Sequence, residues 1–113
     1  MKDKRVAREF FEVHLPADIL KAVNLDKLEI QPTHFIDDAR QESIADVLFK
    51  TEFNGKVGYL YLLVEHQSTP DELMPFRILK YQVNIIDHHL KTTGEKRIPL
   101  IVPLVVYHGT RPW

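Results

Sequence analysis

Two long apolar segments of the sequence are separated by the dipeptide Asn54-Gly55. The segments cover residues 44–53 and 57–66, and both are rich in β-branched, aromatic and other large apolar side chains. Asn-Gly between two such runs is the strongest short-range signal for a β-hairpin, because both residues tolerate the positive φ angles of a two-residue turn. The sequence therefore predicts two antiparallel strands that are joined at residues 54 and 55.

Both faces of this predicted hairpin are largely apolar, which is typical of strands in the middle of a sheet that helices cover on both sides. The flanking segments supply those helices and two further strands. We predict two short helices or one kinked helix over residues 6–24, a strand over 28–36, a helix that begins at 69–70 or at 75 and runs to about 91, and a strand over 98–107. The expected fold is α/β, in the order helix, strand, strand, strand, helix, strand, with a central mixed sheet flanked by helices.

The helix that follows the hairpin has two candidate starts, Thr69-Pro70 and Pro75, and two neighbouring stripes of side chains. The first stripe is apolar and is predicted to face the core; it comprises Phe76, Leu79, Val83, Ile86 and Leu90. The second stripe is polar; it comprises Arg77, Tyr81, Asn84, His88 and Lys91. A solvated helix face is the commoner explanation of the polar stripe, and the alternative is that Arg77, Lys80 and Lys91 contact nucleic-acid phosphates.

Composition limits the class of protein. The chain has 113 residues, which fits one domain, and no cysteine, which excludes disulfides and cysteine zinc sites. The formal net charge of −1 excludes a uniformly basic nucleic-acid coat but not a local basic face. No apolar run approaches the roughly 20 residues of a membrane-spanning helix. We therefore expect a cytoplasmic protein without a membrane partner.

Two carboxylates stand out within the hairpin. If Asn54-Gly55 is a two-residue loop, then Asp46 lies opposite Leu63, and Asp46, Glu65 and Gln67 project from the same face of the sheet. Asp46 and Glu65 would be diagonal neighbours, with roughly 7–8 Å between their backbones. Carboxylates brought together in an apolar sheet repel each other and lose hydration, and a divalent cation such as Mg²⁺ offsets that cost.

A structural explanation of the same two carboxylates is left open. In it, Asp46 pairs with Lys50 or Arg40, and Glu65 is exposed at the edge of the sheet. A three-residue loop would also place Asp46 and Glu65 on opposite faces. The histidines His34, His88 and His89 lack the spacing of zinc ligands and are interpreted as structural or surface residues.

Several segments of the chain resemble a known family of nucleases. Asp46 on one strand and Glu65-x-Gln67 at the end of the next resemble the PD-(D/E)xK nuclease core. The resemblance is closer still to one branch, the recombination-promoting nucleases, also described as YhgA-like transposases, and it covers nearly the whole chain. The segments that carry it are residues 46–50, 60–68, 74–81 and 98–109, including Glu65-His66-Gln67-Ser68 and Tyr107-His108-Gly109.

The resemblance implies a restriction-endonuclease-like fold and a DNA endonuclease that uses Mg²⁺, Mn²⁺ or another divalent cation. It assigns Asp46 and Glu65 as metal ligands and the backbone carbonyl of His66 as a third oxygen. Gln67 stands where the superfamily usually has a lysine, and as a neutral amide it would orient the attacking water. An acidic residue on the first helix often completes such sites, and Glu9 or Glu12 could fill that role.

The resemblance also implies DNA as the partner and a role in recombination or in mobile elements, and it leaves homo-oligomerisation open. Family members usually extend beyond both ends of residues 1–113, so we expect a single nuclease-like domain that is shortened at both ends. The alternative function is that of a catalytically inactive remnant, or of a DNA-binding module with the same fold.

Overall fold

The predicted α/β architecture is confirmed. The computed structural model describes residues 3–36, 44–65 and 72–107. The elements follow in the order helix, helix, strand, strand, strand, helix, strand. They are α1 (Lys4–His14), α2 (Ala17–Ala22), β1 (Glu29–Gln31), β2 (Ile44–Phe53), β3 (Lys56–Glu65), α3 (Met74–Thr93) and β4 (Leu100–Tyr107), with a 3-10 turn at Leu25–Lys27 before β1. Within these residues, no helix is long and apolar enough to cross a membrane.

The hairpin forms with the predicted register. Asn54 and Gly55 have φ angles of 53° and 82°, which are those of a type I′ turn. Phe53 pairs with Lys56 across the turn, and Asp46 pairs with Leu63 nearer the far end. The two-residue loop therefore sets the parity that places Asp46 and Glu65 on one face of the sheet.

The sheet is mixed, and its strands lie in the order β1-β2-β3-β4. Strand β2 is antiparallel to both β1 and β3, whereas β4 runs parallel to β3 after the crossover through α3. Helices α1 and α2 cover one face, where Phe11 packs against Phe49. Helix α3 covers the other face, where Tyr81 and Ile85 pack on the hairpin. The face under α3 is the one that carries Asp46 and Glu65.

The strand predicted over residues 28–36 is shorter than expected. Strand β1 covers only Glu29–Gln31, which pair with β2 at the edge of the sheet. The next residue is Pro32, which has no N–H group to continue the ladder. The chain then turns, and it buries Ile36 completely under α3.

The predicted core stripe of the last helix is wrong for three of its five members, while Ile86 and Leu90 are half-buried. Phe76, Leu79 and Val83 are 61%, 60% and 55% exposed, while Met74, Tyr81, Ile85 and His89 are buried. The helix therefore turns much of its polar stripe toward the sheet, because the sheet below it offers polar partners. Asn84, for example, donates from Nδ2 to the carbonyl of Ile36 at 2.6 Å.

The boundaries of α3 fit one of the two predicted starts. The helix begins at Met74 with Pro75 in its first turn, and the alternative cap Thr69 lies outside the described residues. At the other end Gly94 has a φ angle of 73°, and its N–H donates to the carbonyl of Leu90. This left-handed glycine cap ends the helix close to the predicted position.

Candidate metal centre

Glu65 is the last residue of β3, and its side chain is completely buried. Neither of its carboxylate oxygens has a hydrogen-bond partner in the part of the chain that the structure describes. Buried polar atoms in folded proteins are nearly always hydrogen-bonded, and leaving one without a partner costs about 1–3 kcal/mol. The burial also contradicts the structural explanation in which Glu65 is exposed at the sheet edge.

Asp46 lies on β2, diagonally across the antiparallel ladder from Glu65. Asp46 pairs with Leu63 and Glu65 pairs with Ile44, so the two carboxylates extend from the same face at the same end of the hairpin. The hydroxyl of Tyr61 donates to Oδ2 of Asp46 at 2.8 Å. Tyr61 is two residues before Leu63 on β3 and is itself buried, so it holds the Asp46 carboxylate in a defined orientation.

Helix α3 adds a positive charge to this site. The guanidinium of Arg77 lies with Nη1 4.0 Å from Oε2 of Glu65, and the side chain of Arg77 is 15% exposed. Its Nε and Nη2 both donate to the hydroxyl of Tyr81 at 3.2 Å. The ring of Tyr81 in turn packs edge-to-face against Tyr61, with 6.3 Å between the ring centroids. One connected set of side chains therefore joins the two carboxylates.

The residues present fit a divalent cation. Mg²⁺ in proteins is usually held by one or two carboxylates together with water and phosphate oxygens, and it keeps several of its waters. Asp46 and Glu65 supply such a pair, and the two oxygens of Glu65 that lack hydrogen bonds can accept a cation. Within residues 3–36, 44–65 and 72–107, no group of three or more His, Asp or Glu side chains is arranged around a metal position.

The other predicted ligands are not brought to this pair. Glu9 and Glu12 are exposed on α1, which packs on the opposite face of the sheet, and Glu12 pairs with Arg8 at 3.0 Å. His66 and Gln67 lie outside the described residues, as does Arg40, one of the two cations considered as partners of Asp46. The roles that the resemblance assigns to His66 and Gln67 remain predictions.

The three cations predicted to contact DNA occupy different environments. Lys80 and Lys91 are exposed on α3, and Lys91 forms an ion pair with Asp87 at 2.9 Å. Arg77 instead lies beside Glu65. The location of Arg77 beside Glu65 was not predicted, because the polar stripe of α3 was interpreted as solvated or as phosphate-binding. A signal was present, since Met74, Ile78, Tyr81 and Ile85 also follow helical spacing and place Arg77 next to a buried stripe.

A second buried polar cluster lies farther along the same face. His89 is 1% exposed; its Nδ1 lies 2.7 Å from the hydroxyl of Tyr59, and its Nε2 lies 3.0 Å from Oε2 of Glu95. One tautomer satisfies all three groups, with Tyr59 donating to Nδ1 and Nε2 donating to Glu95. Burial, followed by the negative charges of Glu95 and Glu29, raises the pKa of Tyr59. This confirms the interpretation of His89 as structural.

The comparison with protein families covers the whole chain. The model of the family described as "Putative transposase, YhgA-like" matches residues 1–113. The chain belongs to this family. The predicted resemblance is therefore confirmed, and the helix, strand, strand, strand, helix, strand order of the fold is consistent with the nuclease core that it implied.

Curated relatives in this family are named as nucleases, and some are named as inactive. The recombination-promoting nuclease RpnD of Escherichia coli O157:H7 is 34% identical over 110 residues, which is 95% of this chain and 42% of RpnD. The recombination-promoting nuclease RpnA of Escherichia coli K12 is 38% identical over 109 residues, which is 96% of this chain and 37% of RpnA.

The inactive recombination-promoting nuclease-like protein RpnE of Escherichia coli K12 is 40% identical over 108 residues, which is 95% of this chain and 36% of RpnE. The chain thus spans about two fifths of the length of these curated relatives. No solved structure matches the chain.

Proposed function

We propose that this chain carries the catalytic core of a metal-dependent DNA endonuclease, in which Asp46 and Glu65 hold Mg²⁺ or Mn²⁺. Membership in a family with relatives named recombination-promoting nucleases supports the reaction class. The proposal adds the cation, the DNA substrate and the residues that carry the site.

The observation that carries the proposal is the state of Glu65. A completely buried carboxylate whose two oxygens lack hydrogen bonds is expensive to keep, and its neighbour across the ladder is another carboxylate. If this position had only a structural role, an apolar side chain or a hydrogen-bonded amide would destabilise the fold less than a buried carboxylate does. A divalent cation that contacts both Asp46 and Glu65 offsets the desolvation and the repulsion together.

Each residue then has a definable part in phosphodiester hydrolysis. Tyr61 fixes the orientation of Asp46 through the hydrogen bond from its hydroxyl to Oδ2. The resemblance adds the backbone carbonyl of His66 as a third ligand and the amide of Gln67 as the group that orients the attacking water. A bound divalent cation supplies Lewis acidity: it lowers the pKa of a coordinated water and neutralises charge on the scissile phosphate.

The proposal is tested by plasmid nicking with the 113-residue chain in Mg²⁺ and in Mn²⁺. We expect cation-dependent nicking that EDTA stops and that Asp46→Asn and Glu65→Gln each abolish. Glu12→Gln is a matched control, because Glu12 is an exposed carboxylate on the opposite face of the sheet. Nicking that survives in both site variants would overturn the proposal.

A second candidate is an inactive DNA-binding protein with the same fold, and the 40% identity to an inactive relative favours it. Lys80 and Lys91 on the exposed side of α3 would then provide the phosphate contacts. This function predicts DNA binding that weakens with salt, and no nicking in either cation. Lys80→Gln should weaken such binding, whereas Glu12→Gln should not.

A further inference from the structure

Arg77 neutralises the charge of Glu65 without occupying its oxygens. An arginine that pairs with a carboxylate usually aligns two N–H groups with the two oxygens. Here Nε and Nη2 are directed at the hydroxyl of Tyr81, and Nη1 lies 4.0 Å from Oε2 of Glu65. That separation is too long for a hydrogen bond. The attraction between Arg77 and Glu65 is therefore electrostatic, and the carboxylate keeps both oxygens open.

Tyr81 contributes to this orientation of the guanidinium. Its hydroxyl accepts both N–H groups of the fork, and Arg77 Cζ lies 5.9 Å from the centre of its ring. Tyr81 is buried and packs against Tyr61, the residue that donates to Asp46. The geometry thus holds one positive charge close to Glu65, on the side of helix α3, while both oxygens of Glu65 have no hydrogen bond among the described residues.

We propose that Arg77 is a positioning residue that serves as the resident counter-charge of Glu65 and is exchanged for a divalent cation when the site fills. This inference rests on the proposed function, because it takes Asp46 and Glu65 as the ligands. A guanidinium and a divalent cation beside the same carboxylate repel each other because both are positively charged. The repulsion is strong because the dielectric constant is low in a buried site. Filling the site therefore weakens the contact between Arg77 and Glu65, and Arg77 in turn weakens cation binding.

The test uses the variant Arg77→Met, which keeps an unbranched chain against Tyr81 and removes the charge. Mn²⁺ binding to the 113-residue chain is measured by calorimetry at pH 8 and at fixed ionic strength. We expect Arg77→Met to bind Mn²⁺ about tenfold more tightly than the wild type, because the competing charge is gone. An unchanged or weaker affinity in a variant that remains folded overturns the inference.

Thermal unfolding gives a second readout. Without cation, Arg77→Met should have a Tm lower than that of the wild type by about 5 °C, because Glu65 stays buried without its counter-charge. Saturating Mn²⁺ should close most of this gap, since the cation replaces the missing charge. A gap of equal size with and without Mn²⁺ means that Arg77 acts through packing alone, and it also overturns the inference.

Two further variants separate charge from general effects. Lys80→Met removes a charge from the exposed side of the same helix and should change neither the Mn²⁺ affinity nor the Tm gap. Tyr81→Phe removes the hydroxyl that accepts hydrogen bonds from the guanidinium of Arg77, and it should shift the Mn²⁺ affinity by less than Arg77→Met does. A shift with Lys80→Met as large as that with Arg77→Met would show a general charge effect and overturn the exchange.

Failure of this inference can be told from failure of the proposed function. A wild-type chain that binds no Mn²⁺ overturns both the proposed metal site and the exchange. A wild-type chain that binds Mn²⁺ while Arg77→Met gains no affinity overturns the exchange alone. The counter-charge itself is tested without metal: in a Glu65→Gln background, Arg77→Met should no longer lower the Tm, and an undiminished loss there overturns it.

Discussion

Helix α3 covers two buried polar clusters on the same face of the sheet, and they differ in how completely their hydrogen bonds are made. In the cluster of Tyr59, His89 and Glu95, both ring nitrogens of the buried histidine have partners within 3.0 Å. In the cluster of Asp46 and Glu65, the buried carboxylate has an electrostatic neighbour but no hydrogen bond among the described residues. One helix and one sheet therefore enclose a completed network and an incomplete one.

This difference in hydrogen bonding distinguishes a cluster that stabilises the fold from a cluster that is suited to bind a ligand. A buried network in which every donor and acceptor is paired stabilises and orders the fold. Removal of one member leaves its partner unpaired and lowers the free energy of unfolding. A buried carboxylate without hydrogen bonds lowers the stability of the fold as long as no ligand offsets its desolvation. Residues of the first kind should be sensitive to mutation in stability measurements, and residues of the second kind in binding measurements.

The largest expected effect is on cation binding at Glu65. Glu65→Gln removes a ligand charge but keeps the shape of the side chain, so we expect Mn²⁺ affinity to fall by more than about a hundredfold, beyond the effect of losing a supporting residue. The free energy of unfolding should stay within about 1 kcal/mol of the wild type or rise, because a buried charge is removed. Calorimetry and urea denaturation measure the two quantities. A loss of stability above about 2 kcal/mol would assign Glu65 to the structural class instead.

The opposite pattern is expected at His89. His89→Leu leaves the hydroxyl of Tyr59 buried without its partner, and we expect the free energy of unfolding to fall by about 2 kcal/mol in urea denaturation. Mn²⁺ affinity should be unchanged, because His89 has no contact with Asp46 or Glu65. His88→Leu is the matched control: His88 stacks on Phe35 and is not part of this cluster, so its loss should be smaller. A weakened Mn²⁺ site in His89→Leu would join the two clusters and remove the distinction.

Tyr61→Phe tests whether a buried core side chain also contributes to cation binding. Tyr61 is buried like a core residue, yet its hydroxyl donates to Asp46. We expect the variant to bind Mn²⁺ about tenfold more weakly, because an outer hydrogen bond that orients a metal ligand is lost. Calorimetric titration of Tyr61→Phe against the wild type measures the change. Equal affinities would show that Asp46 keeps its orientation without Tyr61.

The smallest effect is a pH dependence in the completed cluster. The pKa of Tyr59 is raised above its usual value of 10.0, mainly by burial and then by Glu95 and Glu29. The folded chain therefore keeps this proton at a pH where the unfolded chain begins to release it, so stability falls as the pH rises above about 10. Urea denaturation between pH 9 and 11 should show a shallower decline in Tyr59→Phe. Parallel declines in the two proteins would mean that other groups carry the effect.

The sequence predicted the part of the candidate site's geometry that depends on local signals. Asn54-Gly55 dictates a type I′ turn, and the two-residue loop then fixes which face each side chain of the hairpin occupies. The shared face of Asp46 and Glu65 follows from that parity. The sequence did not predict the short β1, because alternation continues past Pro32 while the ladder ends there.

The orientation of α3 could not be read from hydrophobicity. Its apolar stripe through Phe76, Leu79 and Val83 is more hydrophobic than the stripe that the sheet buries. The sheet decides the orientation, since it presents Glu65 and Tyr59 toward the helix, and only Arg77 and His89 on the other stripe can meet them. The spacing of the buried stripe was visible in the sequence, but the matching of polar groups across a long separation that favours it over the more hydrophobic stripe was not, so Arg77 was assigned to the surface.

The parallel pairing of β3 with β4 has a consequence for the order in which the chain folds. The hairpin joins residues close in sequence, beginning with Phe53 and Lys56, and such hairpins form in about 1–10 μs. In the parallel ladder Gly58 pairs with Leu100 and Glu65 with Tyr107, so each pair encloses a far longer loop. We expect β4 to dock after the hairpin has formed, which leaves Glu65 hydrated through the early steps. The carboxylate of Glu65 then becomes buried only late, when α3 and β4 complete the fold around it.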